Sequence, residues 1–138
     1  MPIEQTPSLD LVVDQLRTIN PRARRKVREA IVEATRDMRE DMARRASWSS
    51  RIPGAIRLRI SWRTGRVEIR VDARRAPHAR PYEGTDGNAF FRHPVFGDRD
   101  RWVSQRTRPF FFPAVRAHRR RVIDAVERAV LQSIETLR

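Results

Sequence analysis

Ile56-Arg57-Leu58-Arg59-Ile60-Ser61-Trp62-Arg63-Thr64-Gly65-Arg66-Val67-Glu68-Ile69-Arg70-Val71 decides the fold class. Apolar side chains hold every second position on either side of a short glycine-bearing turn. A period of two belongs to a half-buried strand, and two such runs around a turn make a β-hairpin. With Thr64-Gly65 as the turn, Trp62 faces Val67, Ile60 faces Ile69 and Leu58 faces Val71. All the apolar residues then share one face, as a sheet covering a core requires. The other face pairs Arg57 with Asp72 and Ser61 with Glu68. It also sets Arg59 against Arg70, a like-charge pair that needs an acidic neighbour.

The cover for that sheet is written on both sides of it. Asn20 is a good N-cap and Pro21 suits a first helical position. Beyond them Val27, Ala30, Ile31, Ala34, Met38 and Met42 form one apolar stripe down to Ala46, which predicts a long amphipathic helix. Arg25/Glu29, Arg36/Glu40, Glu40/Arg44 and Asp41/Arg45 are spaced as ion pairs along it. A second long helix is predicted from Pro113 to the C-terminus, with Val115, Val122, Val126, Val130, Ile134 and Leu137 as its stripe and Ile123 and Ala129 at its margin. Upstream, Leu9, Val12, Val13, Leu16 and Ile19 read as a short helix, although Leu11-Val12-Val13 also fits a strand. Residues 1–8 read as a tail, 9–138 as a single domain, and Ser47 to Gly54 as a linker. The expected fold is α+β: two long amphipathic helices packed on a small antiparallel β-sheet.

The remaining segment, 73–112, has the glycines and prolines of a loop and most of the chain's aromatic residues. Short strands fit at Ala79–Glu83 and Trp102–Gln105. Connections are normally polar, so a long aromatic-rich loop is expected either to pack down or to meet a partner. Tyr82, Phe90, Phe91, Phe96, Trp102, Phe110, Phe111 and Phe112 are the candidate interface residues. An extended backbone through Phe110–Phe112 would send the middle ring opposite to its neighbours.

The 138 residues carry 30 Lys+Arg against 17 Asp+Glu, a net charge of +13, and no cysteine. Disulfide and thiolate chemistry are thereby excluded. No apolar run reaches the ~20 residues of a membrane span, and the first residues lack the pattern of a signal peptide, so a soluble cytoplasmic product is expected. Lys26 is the single lysine. Guanidinium suits bidentate contacts to carboxylate and phosphate, and a surface this basic attracts polyanions or acidic proteins. Arg22, Arg24 and Arg25 crowd the start of the first long helix, where the dipole favours acidic residues instead. With Arg59, Arg70 and the run Arg119-Arg120-Arg121, they are the candidate anion- or DNA-facing residues.

Catalytic chemistry finds little footing. His78, His93 and His118 lack zinc-site spacing, and Gly84-Thr85-Asp86-Gly87-Asn88 lacks the lysine and framing of a phosphate loop. His78, His93, Arg80 and Glu83 could be drafted as the acid–base and phosphate-binding set of a small ribonuclease, but their spacing is not diagnostic. No cofactor or metal is expected.

Four segments in order complete a pattern: Ile52-Pro53-Gly54-Ala55-Ile56, Tyr82-Glu83-Gly84-Thr85, His93-Pro94-Val95-Phe96-Gly97 and Arg108-Pro109-Phe110-Phe111-Phe112-Pro113-Ala114-Val115. Together with the helix before and after them, they resemble the tail-component, or tail-completion, neck proteins of long-tailed bacteriophages, over roughly residues 9–137. The resemblance implies a non-enzymatic virion protein at the head–tail joint, made in the host bacterial cytoplasm. It implies a homo-oligomeric ring around the DNA channel, between connector or stopper proteins and the tail terminator. Contact with the passing DNA would be non-specific. The alternative is a stand-alone basic nucleic-acid-binding protein.

Overall fold

The computed structural model describes residues 6–84, 90–95 and 98–136, without the side chains of 93–95, 98 and 134–136. Its largest sheet is antiparallel, with strand order β1-β3-β2, where β1 is Ser8–Val12, β2 is Ile56–Ser61 and β3 is Arg66–Val71. The central strand, β3, buries Val67, Ile69 and Val71. Leu9 and Leu11 of β1 and Ile60 of β2 are buried beside them, and Ile56 and Leu58 pack partly against the same core.

The hairpin is present, but its register differs by two from the expected one. Ile60 opposes Val67, Leu58 opposes Ile69 and Ile56 opposes Val71. A shift of two keeps every side chain on its own face, so the core face is as expected and only the opposite neighbours change. The turn holds four residues, Trp62 to Gly65, and Trp62 leaves the strand. Ser61 and Thr64 share a hydroxyl hydrogen bond of 2.7 Å across it. Gly65 has φ +67°, and a Cβ there would lie 2.9 Å from the Val13 carbonyl oxygen and 3.1 Å from Arg17 Cγ. Both the backbone angle and the close approach call for glycine. Arg59 therefore opposes Glu68, not Arg70, and Arg70 opposes Arg57.

The N-terminal segment is a strand, not a helix. Alternation over Ser8–Val12 pairs it with β3, and the 3-10 turn Asp14–Thr18 follows, burying Leu16. The expected tail thus already contributes at Pro7, which is buried and whose carbonyl accepts from Val71 N.

The first long helix is split. Asn20 Oδ1 accepts from Arg22 N as a cap, and a 3-10 turn at Pro21–Ala23 leads into α1, Arg24–Ala34, followed by α2, Arg36–Arg45. Thr35 separates them at φ −98°, ψ −2°; its hydroxyl donates back to the Ile31 carbonyl at 3.0 Å, a bond that competes with helix continuation. The stripe itself is as expected: Val27, Ile31, Met38, Met42 and Ala46 are fully buried. Arg25–Glu29 and Asp41–Arg45 pair, whereas Arg36 takes Glu33 and Arg44 takes Asp41. Within 47–54, Ile52–Ala55 forms a single helical turn, α3. Ala79–Glu83, expected to be extended, is a short helix, α4, with Pro81 early enough to be tolerated.

The last helix, α5, runs Phe111–Thr136, starting two residues before Pro113. α1 and α2 both pack on it. Val115, Val122, Val126 and Val130 are buried, Ile123 packs against them, and the Ile134 side chain and Leu137 lie outside the described residues. The first turn of α5 contains no acidic residue. That role falls to Glu83, 28 residues earlier, whose Oε1 accepts from the backbone N–H groups of Phe110, Phe111 and Phe112. These are the amides that an α-helix leaves without internal partners, and a carboxylate there also meets the favourable end of the dipole. Burial pushes the Glu83 carboxyl above its ordinary value of 4.5, although the three amides and Arg116 pull the other way. The folded chain therefore binds that proton more readily than the unfolded one, so Glu83 makes stability fall as pH rises above 4.5.

Asp41 ties α2 to α5 with the opposite sign. It is buried, and its carboxylate accepts from Arg44 at 2.7 Å and Arg45 at 3.2 Å while His118 Nε2 lies at 3.1 Å. Burial pushes its carboxyl up, but the hydrogen bonds from Arg45 and Arg44, the Arg45 charge and the His118 bond outweigh that and hold it below 3.8.

Two outcomes are expected. Glu83→Ala should cost about 2–3 kcal/mol by leaving buried amides without an acceptor, and Glu83→Gln less, because its amide oxygen still accepts. Urea midpoints at an unchanged slope check this. The stability that Asp41 contributes is present above pH 3.8 and is lost as pH falls through its lower folded value. Asp41→Asn should therefore cost about 1–2 kcal/mol at neutral pH and flatten the acid limb of the urea midpoint plotted against pH.

Candidate anion-binding cleft and hairpin arm

Two surfaces stand out once the chain is folded. The first is a cleft of about 380 Å³ lined by Arg17, Arg24, Arg59, Ile60, Ser61, Trp62 and Arg63. Three parts of the chain build it. The 3-10 turn after β1 supplies Arg17, the first turn of α1 supplies Arg24, and the end of β2 with its turn supplies the rest. The guanidiniums of Arg24 and Arg28, one helical turn apart, lie 5.5 Å and 5.8 Å from the centre of the Trp62 ring. Two like charges at this helical spacing repel by a few tenths of a kcal/mol. The π face of the indole offsets this with ~0.5–1 kcal/mol for each exposed cation.

No carboxylate lines the cleft, and among the described residues Arg17, Arg24, Arg28, Arg59 and Arg63 enter no ion pair. The neighbouring hollow of about 210 Å³ differs. There Asp10 and Glu68 sit among Arg59, Ser61, Thr64 and Arg66, and Arg66–Asp10 (4.0 Å) and Arg70–Glu68 (3.4 Å) neutralise each other. Of the predicted anion-facing set, the fold brings together Arg24 and Arg59. Arg22, Arg25 and Arg70 do not line the cleft, and Arg25 and Arg70 are engaged with Glu29 and Glu68. Arg119, Arg120 and Arg121 are exposed on α5, with Arg121 bonded to His118 Nδ1 at 3.2 Å. Arg17, Arg28, Arg63 and Trp62 were missed. The i,i+4 pair Arg24/Arg28 was visible in the sequence, but its approach to Trp62 was not.

The second surface is an arm. β4, Phe90–Val95, and β5, Asp98–Arg106, form a separate two-stranded antiparallel sheet with an irregularity between Pro94 and Val95. Phe90 is 61% exposed, Trp102 48% and Val103 41%. The arm is held at its base, where Tyr82 packs edge-on to Phe91 and close to Trp48, with ring centres 5.0 Å and 4.7 Å away. Arg108 lies 5.2 Å from the Trp48 ring and donates its backbone N–H to the Tyr82 carbonyl at 2.7 Å.

The expected aromatic interface is therefore divided. Phe110 and Phe111 are fully buried in the core, which corrects their assignment to a partner. The reason is helical geometry: α5 begins at Phe111, so the rings do not alternate as they would on an extended chain. Phe112 alone turns outward, at 37% exposure. Phe91 and Tyr82 are half-buried at the arm's base, Phe90 and Trp102 are exposed, and Phe96 lies outside the described residues.

Of the residues drafted for nuclease chemistry, Glu83 and His78 are otherwise engaged. Glu83 holds the α5 amides. His78 Nε2 lies 3.0 Å from Ser49 Oγ, its ring set edge-on beside Trp48 and Tyr82, and burial, with the Arg51 charge, lowers its pKa below 6.5. The His93 side chain lies outside the described residues. Among the described residues no acidic or histidine cluster could hold a metal ion, and no helix is long and apolar enough to cross a membrane. Comparison with protein-family models, curated proteins and solved structures gives no match.

Burial separates two adjacent rings experimentally. Phe111→Ser should destabilise the fold by about 3–5 kcal/mol, the cost of a large core truncation, whereas Phe112→Ser should cost about 1 kcal/mol or less. Thermal or urea unfolding of the two variants distinguishes them.

Proposed function

We propose that the chain is a structural, non-enzymatic virion protein of a long-tailed phage. In this reading it acts at the head–tail junction as a ring-forming tail-completion or connector component around the DNA channel. The order of the four quoted segments supports it. The observation that carries it is the β4–β5 arm: among the described residues a sheet of two strands that exposes Phe90, Trp102 and Val103. A two-stranded hairpin is marginal on its own in water, and open edges invite pairing with another chain. Neighbouring copies, or connector, stopper and tail-terminator proteins, would supply that pairing.

The alternative is a stand-alone nucleic-acid-binding protein, and the arginine cleft is what favours it. Particle imaging separates the two: the head–tail reading expects this chain as a ring in the neck. Phe90→Ser/Trp102→Ser should leave the melting temperature within about 2 °C of the parent, since both side chains are exposed, yet abolish incorporation into the particle. A chain absent from the particle, or a double variant that incorporates normally, would remove this reading.

A further inference from the structure

The geometry points to the cleft between α1 and the β2–β3 turn as a binding site for the phosphates of a nucleic-acid backbone, with Arg17, Arg24, Arg28, Arg59 and Arg63 as the contacting groups. It requires neither a ring nor a virion, so it stands apart from the head–tail reading. Its volume, about 380 Å³, falls within the ~300–1,000 Å³ of ligand-sized clefts.

Electrostatics makes the first part of the case. Arg17, Arg24, Arg59 and Arg63, from three parts of the chain, line the cleft with no carboxylate in its wall. Arg28 adds a fifth guanidinium over Trp62, and only Arg59 has a carboxylate, Glu68, opposite it on the next strand, in a chain of net charge +13. Self-repulsion at such a site is relieved by an external anion. Arg24 also occupies the first turn of α1, where the helix dipole favours negative charge. Trp62 fixes two of the forks before any ligand arrives, which lowers the ordering cost of binding.

The composition of the cleft selects the class of anion. A protein partner is met through an apolar centre depleted of charge, with charges at the rim. Here arginines surround a single aromatic ring, Trp62. The exposed large apolar residues described are Val12, Val32, Phe90, Trp102, Val103, Phe112 and Leu131, and none lines the cleft. A polar, strongly positive surface is the character of a nucleic-acid interface. Arginine forks also match phosphate oxygens two at a time. Nothing in the cleft is arranged to read base edges, so binding should be indifferent to sequence.

The test is fluorescence anisotropy of a short labelled duplex titrated with the parent protein and two variants over a range of salt concentrations. Arg24→Gln/Arg28→Gln/Arg63→Gln removes three of the five guanidiniums. Arg119→Gln/Arg120→Gln/Arg121→Gln removes the same charge from α5. All six side chains are exposed, and a thermal melt confirms that each variant is folded. The cleft variant should lose roughly tenfold or more in affinity, and its slope of log affinity against log salt should shrink by about 2–3. The α5 variant should lose about threefold at most. Arg24→Lys should keep the salt slope but bind more weakly, because the point charge lacks the fork. Equal losses in the two triple variants, or no duplex binding at low salt, would overturn the assignment. So would displacement of the duplex by inorganic phosphate at matched ionic strength, which marks a small-anion site. Polyglutamate binding as tightly as the duplex, with the same dependence on the cleft arginines, would transfer the site to an acidic protein partner.

Discussion

The carboxylate of Glu83 on the first amides of α5 is the contact on which the rest of the molecule depends. α5 is the surface against which both α1 and α2 pack. Its start sets how Phe110 and Phe111 enter the core and how Val115, Val122 and Val126 meet their partners. A long helix with no acidic residue in its first turn and Pro113 close behind has weak local instructions about where to begin. One oxygen shared by three N–H groups supplies that instruction from 27 to 29 residues away. It does so at an electrostatic cost, because burial raises the carboxyl's pKa in spite of the three donors. Asp41 carries out a complementary task on the other helix pair, and there the nearby arginines outweigh burial.

The charge of the chain is not spread evenly over this framework. Where strands and helices need internal order, arginines are neutralised locally, as at Asp41, Glu29 and Glu33. At the junction of α1 with the β2–β3 turn they are not. The same glycine that lets the turn close, Gly65, brings Arg17 over it and so adds a cation from the far side of β3. The exposed apolar residues lie outside the cleft, on the arm, at Phe112, and singly at Val12, Val32 and Leu131. Polar recognition and apolar contact are thus kept on different parts of the molecule, as they would be in a subunit that meets both a polyanion and other proteins.

The parts of this fold legible in the sequence are those governed by a single period. The stripes Val27–Ala46 and Val115–Val130 and the inward faces of β2 and β3 follow from spacing alone. Spacing of two, however, identifies a face and leaves the register open by any even number, which is why the four-residue turn displaced Trp62 from the strand. β1 was masked because Leu9, Leu11 and Val13 alternate while Leu16 and Ile19 extend the same residues into a helical spacing. Only the vacant edge of β3 decides for the strand. Phe110–Phe112 looked like a loop because its helix takes its first acidic contact from elsewhere in the chain. The cleft was only partly legible for the same reason. Arg17, Arg28 and Trp62 are distant in sequence and become neighbours through tertiary packing.

The hydrogen bond from Arg108 N to the Tyr82 carbonyl closes the chain on itself at the base of the arm. β4 and β5 lie between those residues in sequence, with Phe90 paired to Arg106 and Phe91 packed on Tyr82 at the base. The core on either side is joined across that point by Glu83 and the α5 amides, so it does not depend on the intervening length. Lengthening a loop whose ends are already held costs only ~0.6 kcal/mol per doubling. β4 and β5 are therefore an insertion in the physical sense: a cassette whose surface can change while the body keeps its shape. A molecule built this way can acquire new neighbours by altering the exposed residues of β4 and β5 alone, without re-solving its own folding problem.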